Sequence, residues 1–208
     1  MTKIGLISDV HATPSPIEEA LAIFDQAGVE QILCAGDIAG YGDQLAQSIA
    51  LLADNGCHTI LGNHDLRYLD QIADDADSLA VAFFRQLTTS LNMTIADRRV
   101  YMVHGRPPDD CINGIKLLNG EGEVRPDRIA FWADELKAFK CDVLVVGHTH
   151  QVFAERVGDI LVVNPGSALF NHSCAILSLP EMNVQVFALS NKQIEKTWSY
   201  SAYLAGRG

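Results

Sequence analysis

The chain has 208 residues, of which 48% are hydrophobic and 20% are charged, and its formal net charge is -11 at pH 7. This length and composition predict one globular domain over residues 1–208, with enough apolar side chains for a full core. Nonspecific nucleic-acid binding needs a basic surface and anionic membranes repel an acidic one, so neither partner is expected. No apolar run reaches the ~20 residues of a membrane-spanning helix, and the absence of a targeting motif favours a cytoplasmic location.

Five short apolar runs along the first three quarters of the chain each end at a glycine or a polar residue. This pattern is typical of buried strands that lead into loops. The predicted strands are Lys3–Ser8, Gln31–Ala35, His58–Leu61, Val100–Val103 and Val143–Val146.

Helical segments are predicted between these strands. Ser15 and Glu18 are predicted to form a capping box that starts the first helix, which ends at Gly28, and Asp43 is predicted to cap the second. The later helices follow apolar spacing of three and four residues. The four helices are predicted over residues 16–27, Gln44–Asn55, Asp77–Ser90 and Asp127–Phe139.

After His150 the pattern changes to four short strands separated by turn residues, which predicts antiparallel or mixed sheet. Strand and helix alternation followed by such a meander favours two packed sheets with helices outside them. The segment Asp109–Arg125 has no clear periodicity and is predicted to be a mobile cover. The four late strands are predicted over Val152–Val157, Ile160–Val163, Ala175–Leu179 and Val184–Leu189.

Five of the seven histidines follow the predicted strands directly, at the edge where open α/β sheets carry metal and phosphate chemistry. Asp9 and His11 are two residues apart, as are His148 and His150, so on an extended backbone each pair points to one side. Imidazole, carboxylate and amide ligands suit Mn, Fe, Ni or Zn better than Ca or Mg. Asp37 stands alone at a strand end and is the natural bridge between two ions.

These motifs resemble those of the calcineurin-like metallophosphoesterase superfamily. The superfamily pattern is D-x-H, G-D, G-N-H-D/E, H and G-H-T/S-H, in that order. It appears here as Asp9-Val10-His11, Gly36-Asp37, Gly62-Asn63-His64-Asp65, His104 and Gly147-His148-Thr149-His150. The resemblance implies a four-layer α/β/β/α sandwich of two mixed sheets flanked by helices.

The resemblance also implies the roles of these residues. One metal would be held by Asp9, His11, Asp37 and His150, and the other by Asp37, Asn63, His104 and His148. His64 would be the acid that contacts the phosphate and the leaving group, and Asp65 would orient it. A metal-bridging hydroxide would attack phosphorus, with manganese as the preferred ion and Fe, Ni or Zn as alternatives.

Further details resemble the small bacterial phosphodiesterase-like branch, including Asp37-Ile38-Ala39-Gly40-Tyr41-Gly42 and Asn164-Pro165-Gly166-Ser167. Where that branch often has H-G-S-P, this chain has His104-Gly105-Arg106-Pro107. Arg106 either binds a phosphate oxygen of the substrate or pairs with Asp109 or Asp110 at the surface. Tyr41 either stacks on a substrate base or packs within its own loop.

The expected function is hydrolysis of a small phosphodiester, phosphomonoester or dinucleoside polyphosphate. The alternative is a non-catalytic interaction scaffold of the same fold, which the intact ligand set and His64 disfavour. A nuclease is disfavoured because an acidic chain of 208 residues does not accommodate the extra DNA-binding elements of such enzymes. A homo-oligomer is left open. Five scattered cysteines without a C-x-x-C pair predict reduced thiols.

Overall fold

The computed structural model describes residues 1–72, 78–199 and 203. Its ten strands are β1 (Thr2–Ile7), β2 (Gln31–Cys34), β3 (His58–Thr59), β4 (Ser90–Ile95), β5 (Arg98–Val103), β6 (Val143–Val145), β7 (Val152–Val157), β8 (Ile160–Pro165), β9 (Ser173–Leu179) and β10 (Asn183–Ala188). Its α-helices are α1 (Pro14–Ala27), α2 (Leu45–Asp54), α3 (Asn63–Asp70), α4 (Leu79–Phe84) and α5 (Pro126–Glu135). No helix in the described part of the chain is long and apolar enough to cross a membrane.

The strands form two five-stranded mixed sheets. The first has the order β10-β9-β1-β2-β3, in which β1, β2 and β3 are parallel and β9 and β10 are antiparallel additions. The second has the order β4-β5-β6-β8-β7, with β5, β6 and β8 parallel. Each sheet therefore has a parallel centre whose carboxyl ends open onto loops.

Three apolar clusters hold the layers together. The middle cluster fills the space between the sheets, where Leu6 and Leu33 of the first sheet meet Val145 and Val163 of the second. An outer cluster packs α1, α2 and α4 on the first sheet, and another packs α5 on the second through Trp132. The arrangement is the four-layer α/β/β/α sandwich that the sequence predicted.

The predicted helices lie in the right places, but two of their starts are wrong. Pro14 occupies the first turn of α1, so the N-cap is Thr13 and not Ser15, and the Thr13 hydroxyl donates to the His11 carbonyl instead of capping. The α2 helix begins after Gln44, so Asp43 is not its cap. Gly28, at φ 67°, ends α1 as predicted. Asp77, the predicted start of the helix that contains α4, lies outside the described residues.

Two elements were absent from the sequence prediction. The α3 helix begins at Asn63, within a motif that was predicted to be a loop. The β4 strand begins at Ser90, the last residue of the helix predicted over Asp77–Ser90, and continues to Ile95. The turn at Ala96 and Asp97, both at positive φ, joins β4 to β5 as a hairpin. Hence the G-N-H-D motif presents its side chains from the first turn of a helix.

The segment Asp109–Arg125 is not a mobile cover. Ile115, Leu117 and Leu118 are buried in the outer cluster on the second sheet. The side-chain oxygen of Gln151 accepts the backbone N–H groups of Leu117 and Leu118 at 2.9 and 3.1 Å. The segment lacks periodicity because its apolar residues pack as an irregular strap. All five cysteines are free, in accord with the predicted reduced thiols.

Candidate metal centre

The candidate ligands lie in loops with an unusual backbone. Asp9, His11, Asp37, His148 and His150 all have positive φ, between 48° and 63°. A side chain at such a position costs about 1–3 kcal/mol in backbone strain and is found mainly at functional sites. The prediction that Asp9 and His11, and likewise His148 and His150, converge along an extended segment is therefore wrong. Left-handed turns aim these side chains.

One group of ligand atoms comes from the loops after β1 and β6. His150 Nε2 lies 3.1 Å from Asp9 Oδ1 and 3.3 Å from His11 Nε2. The other oxygen of Asp9 accepts the Ser8 hydroxyl at 2.5 Å and the His148 backbone N–H at 3.1 Å. Because those two donors hold the carboxylate in place, Oδ1 faces the two imidazoles.

A second group comes from the loops after β2, β5 and β6 and from the start of α3. Asp37 Oδ2 lies 3.2 Å from His104 Nε2. The side-chain oxygen of Asn63 lies 3.2 Å from His104 Nε2 and 2.8 Å from His148 Nδ1. Both sheets contribute, since β5 and β6 belong to the second sheet and β2 to the first.

Overlapping sets of ligand atoms, each within 4.8 Å of one another, connect the two groups. Asp37 shares one set with His104 and His148 and another with His11 and His64. A third set contains Asp9, His11 and His150, and it has His11 in common with the set that contains Asp37 and His64. The structure thus places Asp37 between the groups, with His64 beside it.

Two backbone carbonyls fix the tautomers of the central histidines. His104 Nδ1 donates to the Ala35 carbonyl at 2.7 Å, and His11 Nδ1 donates to the Ala39 carbonyl at 3.1 Å. A neutral ring held in this way presents a lone pair at Nε2. In that neutral form, His104 Nε2 and the oxygens of Asp37 and Asn63 are all acceptors, so a proton or a metal ion is needed between them. Convergent acceptors of this kind fit a bound cation.

The protonation of the centre reflects the same geometry. Burial alone would lower the pKa of His104, but the Asp37 carboxylate outweighs it and raises that pKa to about 10. Burial lowers the pKa of His11 to about 4, against the opposing effect of Asp9 and Asp37. A proton on His104 occupies the position that a metal ion would take, so metal binding must displace it.

The hydrogen bonds of the Asp65 carboxylate come from backbone N–H groups, and its role in orienting the His64 ring stays a prediction. One carboxylate oxygen accepts the backbone N–H groups of Asp37 and Gly62, each at 2.9 Å, and the other accepts that of Ala39 at 2.7 Å. Burial and the nearby Asp37 charge raise the pKa of Asp65 to about 7, although these N–H groups oppose the shift. Asp65 therefore ties the loop that carries Asp37 to the start of α3.

Two glycines allow the loops to approach one another. A Cβ atom added to Gly62 would overlap with the carboxylate and the backbone nitrogen of Asp37. A Cβ added to Gly147 would overlap with the Ser8 hydroxyl and lie 2.8 Å from Asp9 Oδ2. Both glycines are required by the close packing around the carboxylates.

An aromatic wall lies over the group that contains His11 and His150. We define it as Tyr41, Phe170, Trp198 and Tyr203. Trp198 stacks on Phe170 with ring centroids 4.3 Å apart and lies 4.8 Å from the His150 ring. Tyr41 meets the His11 ring edge-on at 4.9 Å and the His64 ring at 5.1 Å. Of these residues the sequence indicated only Tyr41, because aromatic side chains far apart in the chain carry no local pattern.

Arg106 forms a partly exposed ion pair with Asp110. Its Nε donates to Asp110 Oδ2 at 3.1 Å, and backbone hydrogen bonds join the same two residues. Of the two alternatives for Arg106, the structure shows the surface ion pair with Asp110.

Buried polar residues that were not predicted as site residues support the ligand loops. The Ser167 hydroxyl donates to the Asp9 carbonyl at 2.7 Å, and Asn164 Nδ2 donates to the Gly147 carbonyl at 2.9 Å. Asn171 Nδ2 donates to the His150 carbonyl at 2.9 Å. Two of these three lie in the Asn164–Ser167 loop noted in the sequence.

Comparison with known proteins agrees with this site. The family model of the calcineurin-like phosphoesterase superfamily domain matches residues 2–180. The phosphodiesterase YfcE of Escherichia coli is 25% identical over 179 residues, covering 80% of this chain and 79% of its own length. A probable metallophosphoesterase of Methanothermobacter thermautotrophicus is 29% identical over 165 residues, covering 79% of this chain and 76% of its own.

A solved structure shows the same fold. The crystal structure of a metallophosphoesterase from Sphaerobacter thermophilus superposes with a TM-score of 0.69 at 21% identity, covering 92% of this chain and 90% of that one. Because the family model spans most of the chain and the fold agrees, the protein belongs to the calcineurin-like phosphoesterase superfamily and is a hydrolase acting on phosphoric ester bonds.

Proposed function

We propose that the protein hydrolyses a small phosphodiester, phosphomonoester or dinucleoside polyphosphate at a dinuclear metal centre. The observation that carries this proposal is the set of overlapping ligand groups, in which Asp37 lies between the histidines of both halves. The proposal treats residues 1–208 as one cytoplasmic domain, with manganese as the preferred ion and Fe, Ni or Zn as alternatives.

Seven residues would hold the two ions. They are Asp9, His11, Asp37, Asn63, His104, His148 and His150. When bound, two divalent ions would supply an activated water and neutralise the charge of the phosphoryl group. The left-handed backbone at five of these residues aims their donor atoms at one another.

His64 is proposed to act on the leaving group. Its backbone N–H donates to Asp37 Oδ1 at 2.8 Å, which fixes the first turn of α3 against that carboxylate. Its ring is only partly buried and lies 5.0 Å from the His11 ring. In the reaction a water oxygen bonds to phosphorus, the bond from phosphorus to the leaving oxygen breaks, and His64 gives that oxygen a proton.

The experiment that tests the proposal is metal-dependent turnover. Chelated protein is reloaded with Mn, Ni, Zn or Mg and offered bis-p-nitrophenyl phosphate, p-nitrophenyl phosphate and a dinucleoside tetraphosphate. We expect turnover with at least one transition metal and none after chelation. Asp37→Asn should abolish it with an unchanged circular dichroism spectrum, whereas Asp159→Asn, at an exposed turn, should not.

Turnover that survives complete metal removal, or full activity of Asp37→Asn, would contradict the proposal. Absence of turnover with every metal and substrate would favour the scaffold alternative, which binds a partner without chemistry.

A further inference from the structure

An open cavity of about 270 Å³ lies beside the candidate metal centre, on the side of His64. Its walls are the loop around Tyr41 and one face of α3, which presents His64, Arg67 and Gln71. These three residues are spaced by three and four positions, so their side chains lie along one side of the helix. The cavity therefore begins at the group proposed to protonate the leaving oxygen.

Arg67 brings a positive charge to this cavity. It is exposed, and its guanidinium has no ion pair or hydrogen bond with any other residue in the described part of the chain. By contrast, Arg99, Arg106 and Arg125 each pair with a nearby aspartate. In a chain with a net charge of -11, a guanidinium on a cavity wall that pairs with no carboxylate among the described residues is suited to an anionic ligand.

Two tyrosines, Tyr41 and Tyr68, also line this cavity. Tyr41 is 36% exposed, and its ring stands beside His64. Tyr68 lines the cavity and is supported from behind by Phe84, whose ring meets it edge-on at 5.6 Å. Flat side chains beside a cation match a group that combines a ring with a phosphate, because the ring packs on the aromatic faces while the phosphate meets the guanidinium.

We infer that this cavity receives the leaving group, and that Arg67 selects leaving groups that carry a phosphate of their own. A nucleoside phosphate released from a dinucleoside polyphosphate has this chemistry. The inference rests on the proposed function, since it takes His64 as the neighbour of the leaving oxygen. In the hydrolysis, the oxygen that receives the His64 proton belongs to the departing nucleotide.

The test compares two substrates in four proteins. The substrates are a dinucleoside tetraphosphate, whose leaving group is a nucleotide, and bis-p-nitrophenyl phosphate, whose leaving group carries no phosphate. The proteins are the wild type, Arg67→Gln, Arg67→Lys and the control Arg156→Gln, which alters an exposed arginine in β7. Arg67→Gln should lower kcat/KM for the tetraphosphate about 10- to 100-fold, as expected for a lost charged hydrogen bond, mainly through KM.

The aryl diester should change less than twofold in every protein, and Arg67→Lys should recover part of the loss on the tetraphosphate. Equal losses on both substrates, or no loss on the tetraphosphate, would overturn the inference. Inhibition of aryl diester hydrolysis by adenosine diphosphate gives a second measure, and its inhibition constant should rise at least tenfold in Arg67→Gln.

If the wild type hydrolyses the aryl diester but neither cleaves the tetraphosphate nor is inhibited by adenosine diphosphate, the inference fails while the proposed function stands. If the wild type hydrolyses nothing with any metal, the proposed function itself fails, and the inference fails with it.

Discussion

Single backbone contacts determine the chemistry of the central side chains. The Ala35 and Ala39 carbonyls each hold one histidine in the tautomer that leaves Nε2 facing the other ligands. The proposed role of His64 differs from that of these residues, because it depends on a ring that donates a proton and not on a metal-ligand position. His64 follows Asn63 in the first turn of α3. Because successive residues of a helix point in different directions around its axis, the His64 ring points away from the Asn63 side chain.

Replacing His64 tests that role. His64→Gln should keep both metals and slow hydrolysis of an alkyl diester by about 10²- to 10⁴-fold, the usual contribution of a general acid. It should slow a p-nitrophenyl ester much less, because that leaving group departs without a proton. Steady-state rates on the two substrates measure the difference, and His58→Gln, which changes an exposed histidine at the start of β3, is the control.

Equal losses on the alkyl and aryl substrates would mean that His64 orients the phosphate and does not donate a proton. A loss of bound metal in His64→Gln would mean that the residue is a ligand, as its proximity to Asp37 and His11 also permits.

The identities of the candidate ligands could be predicted from the sequence, but their conformations could not. Asp9, His11, His148 and His150 were expected on extended backbone, whereas each lies at positive φ. The backbone strain is local, but contacts with residues far away in the sequence stabilise it. For example, Ser167, in a distant loop, donates a hydrogen bond to the Asp9 carbonyl. No local pattern reports such a contact, and the same reason hides Trp198 and Tyr203.

Among the elements, the turn after β5 depends on one carboxylate. Asp110 accepts hydrogen bonds from the backbone N–H groups of Ile112 and Asn113 at 2.8 and 2.9 Å, from Asn113 Nδ2 at 2.8 Å and from Arg106 Nε at 3.1 Å. Burial opposes ionisation, but these donors together hold the pKa of Asp110 well below its usual range. The carboxylate stabilises the turn only in its ionised form.

A pH-dependent stability difference follows. Asp110→Asn should lower the free energy of unfolding at pH 7 by about 1–3 kcal/mol, the value of hydrogen bonds to a charged group. Because the folded-state pKa is depressed, this stabilisation is complete above the unfolded pKa of about 3.9 and is lost as the pH falls through the folded-state value. Urea denaturation should therefore show the same difference in free energy of unfolding between Asp110→Asn and the wild type at pH 7 and 5, and a smaller difference at pH 3.5.

The matched control is Asp109→Asn, which removes the neighbouring exposed carboxylate. Its stability should match the wild type at every pH. A difference between Asp110→Asn and the wild type that stays constant down to pH 3, or that grows as the pH falls, would show that the charge of Asp110 does not stabilise the turn.

At this scale the sequence predicts buried strands better than helix starts. Val152–Val157 was placed with its observed bounds, because a short run that ends at the turn residues Gly158 and Asp159 is typical of a strand. The start of α1 was misplaced because two prolines offered two registers, and the backbone took the earlier one. The α3 helix was missed although Asp65 at its third position bonds back to the Gly62 N–H, a contact that marks a helix start.

For the whole molecule, the site exists because two sheets end at the same edge. The first sheet supplies Asp9, His11 and Asp37, and the second supplies His104, His148 and His150. The His104 side chain, from the second sheet, donates to the Ala35 carbonyl of the first. The four-layer order was predictable from strand and helix alternation together with the family motifs. The register between the two sheets depends on contacts such as this hydrogen bond, so it could not be predicted from the sequence.

We expect the proposed centre to hold two metal ions that share the Asp37 carboxylate. The most direct measurement is electron paramagnetic resonance of protein loaded with increasing Mn²⁺. Because ions about 3.5–4 Å apart with a shared carboxylate are spin-coupled, we expect a coupled signal that saturates at two Mn²⁺ per chain and disappears in Asp37→Asn. Saturation at one ion with an uncoupled six-line spectrum, or an unchanged coupled signal in Asp37→Asn, would contradict it.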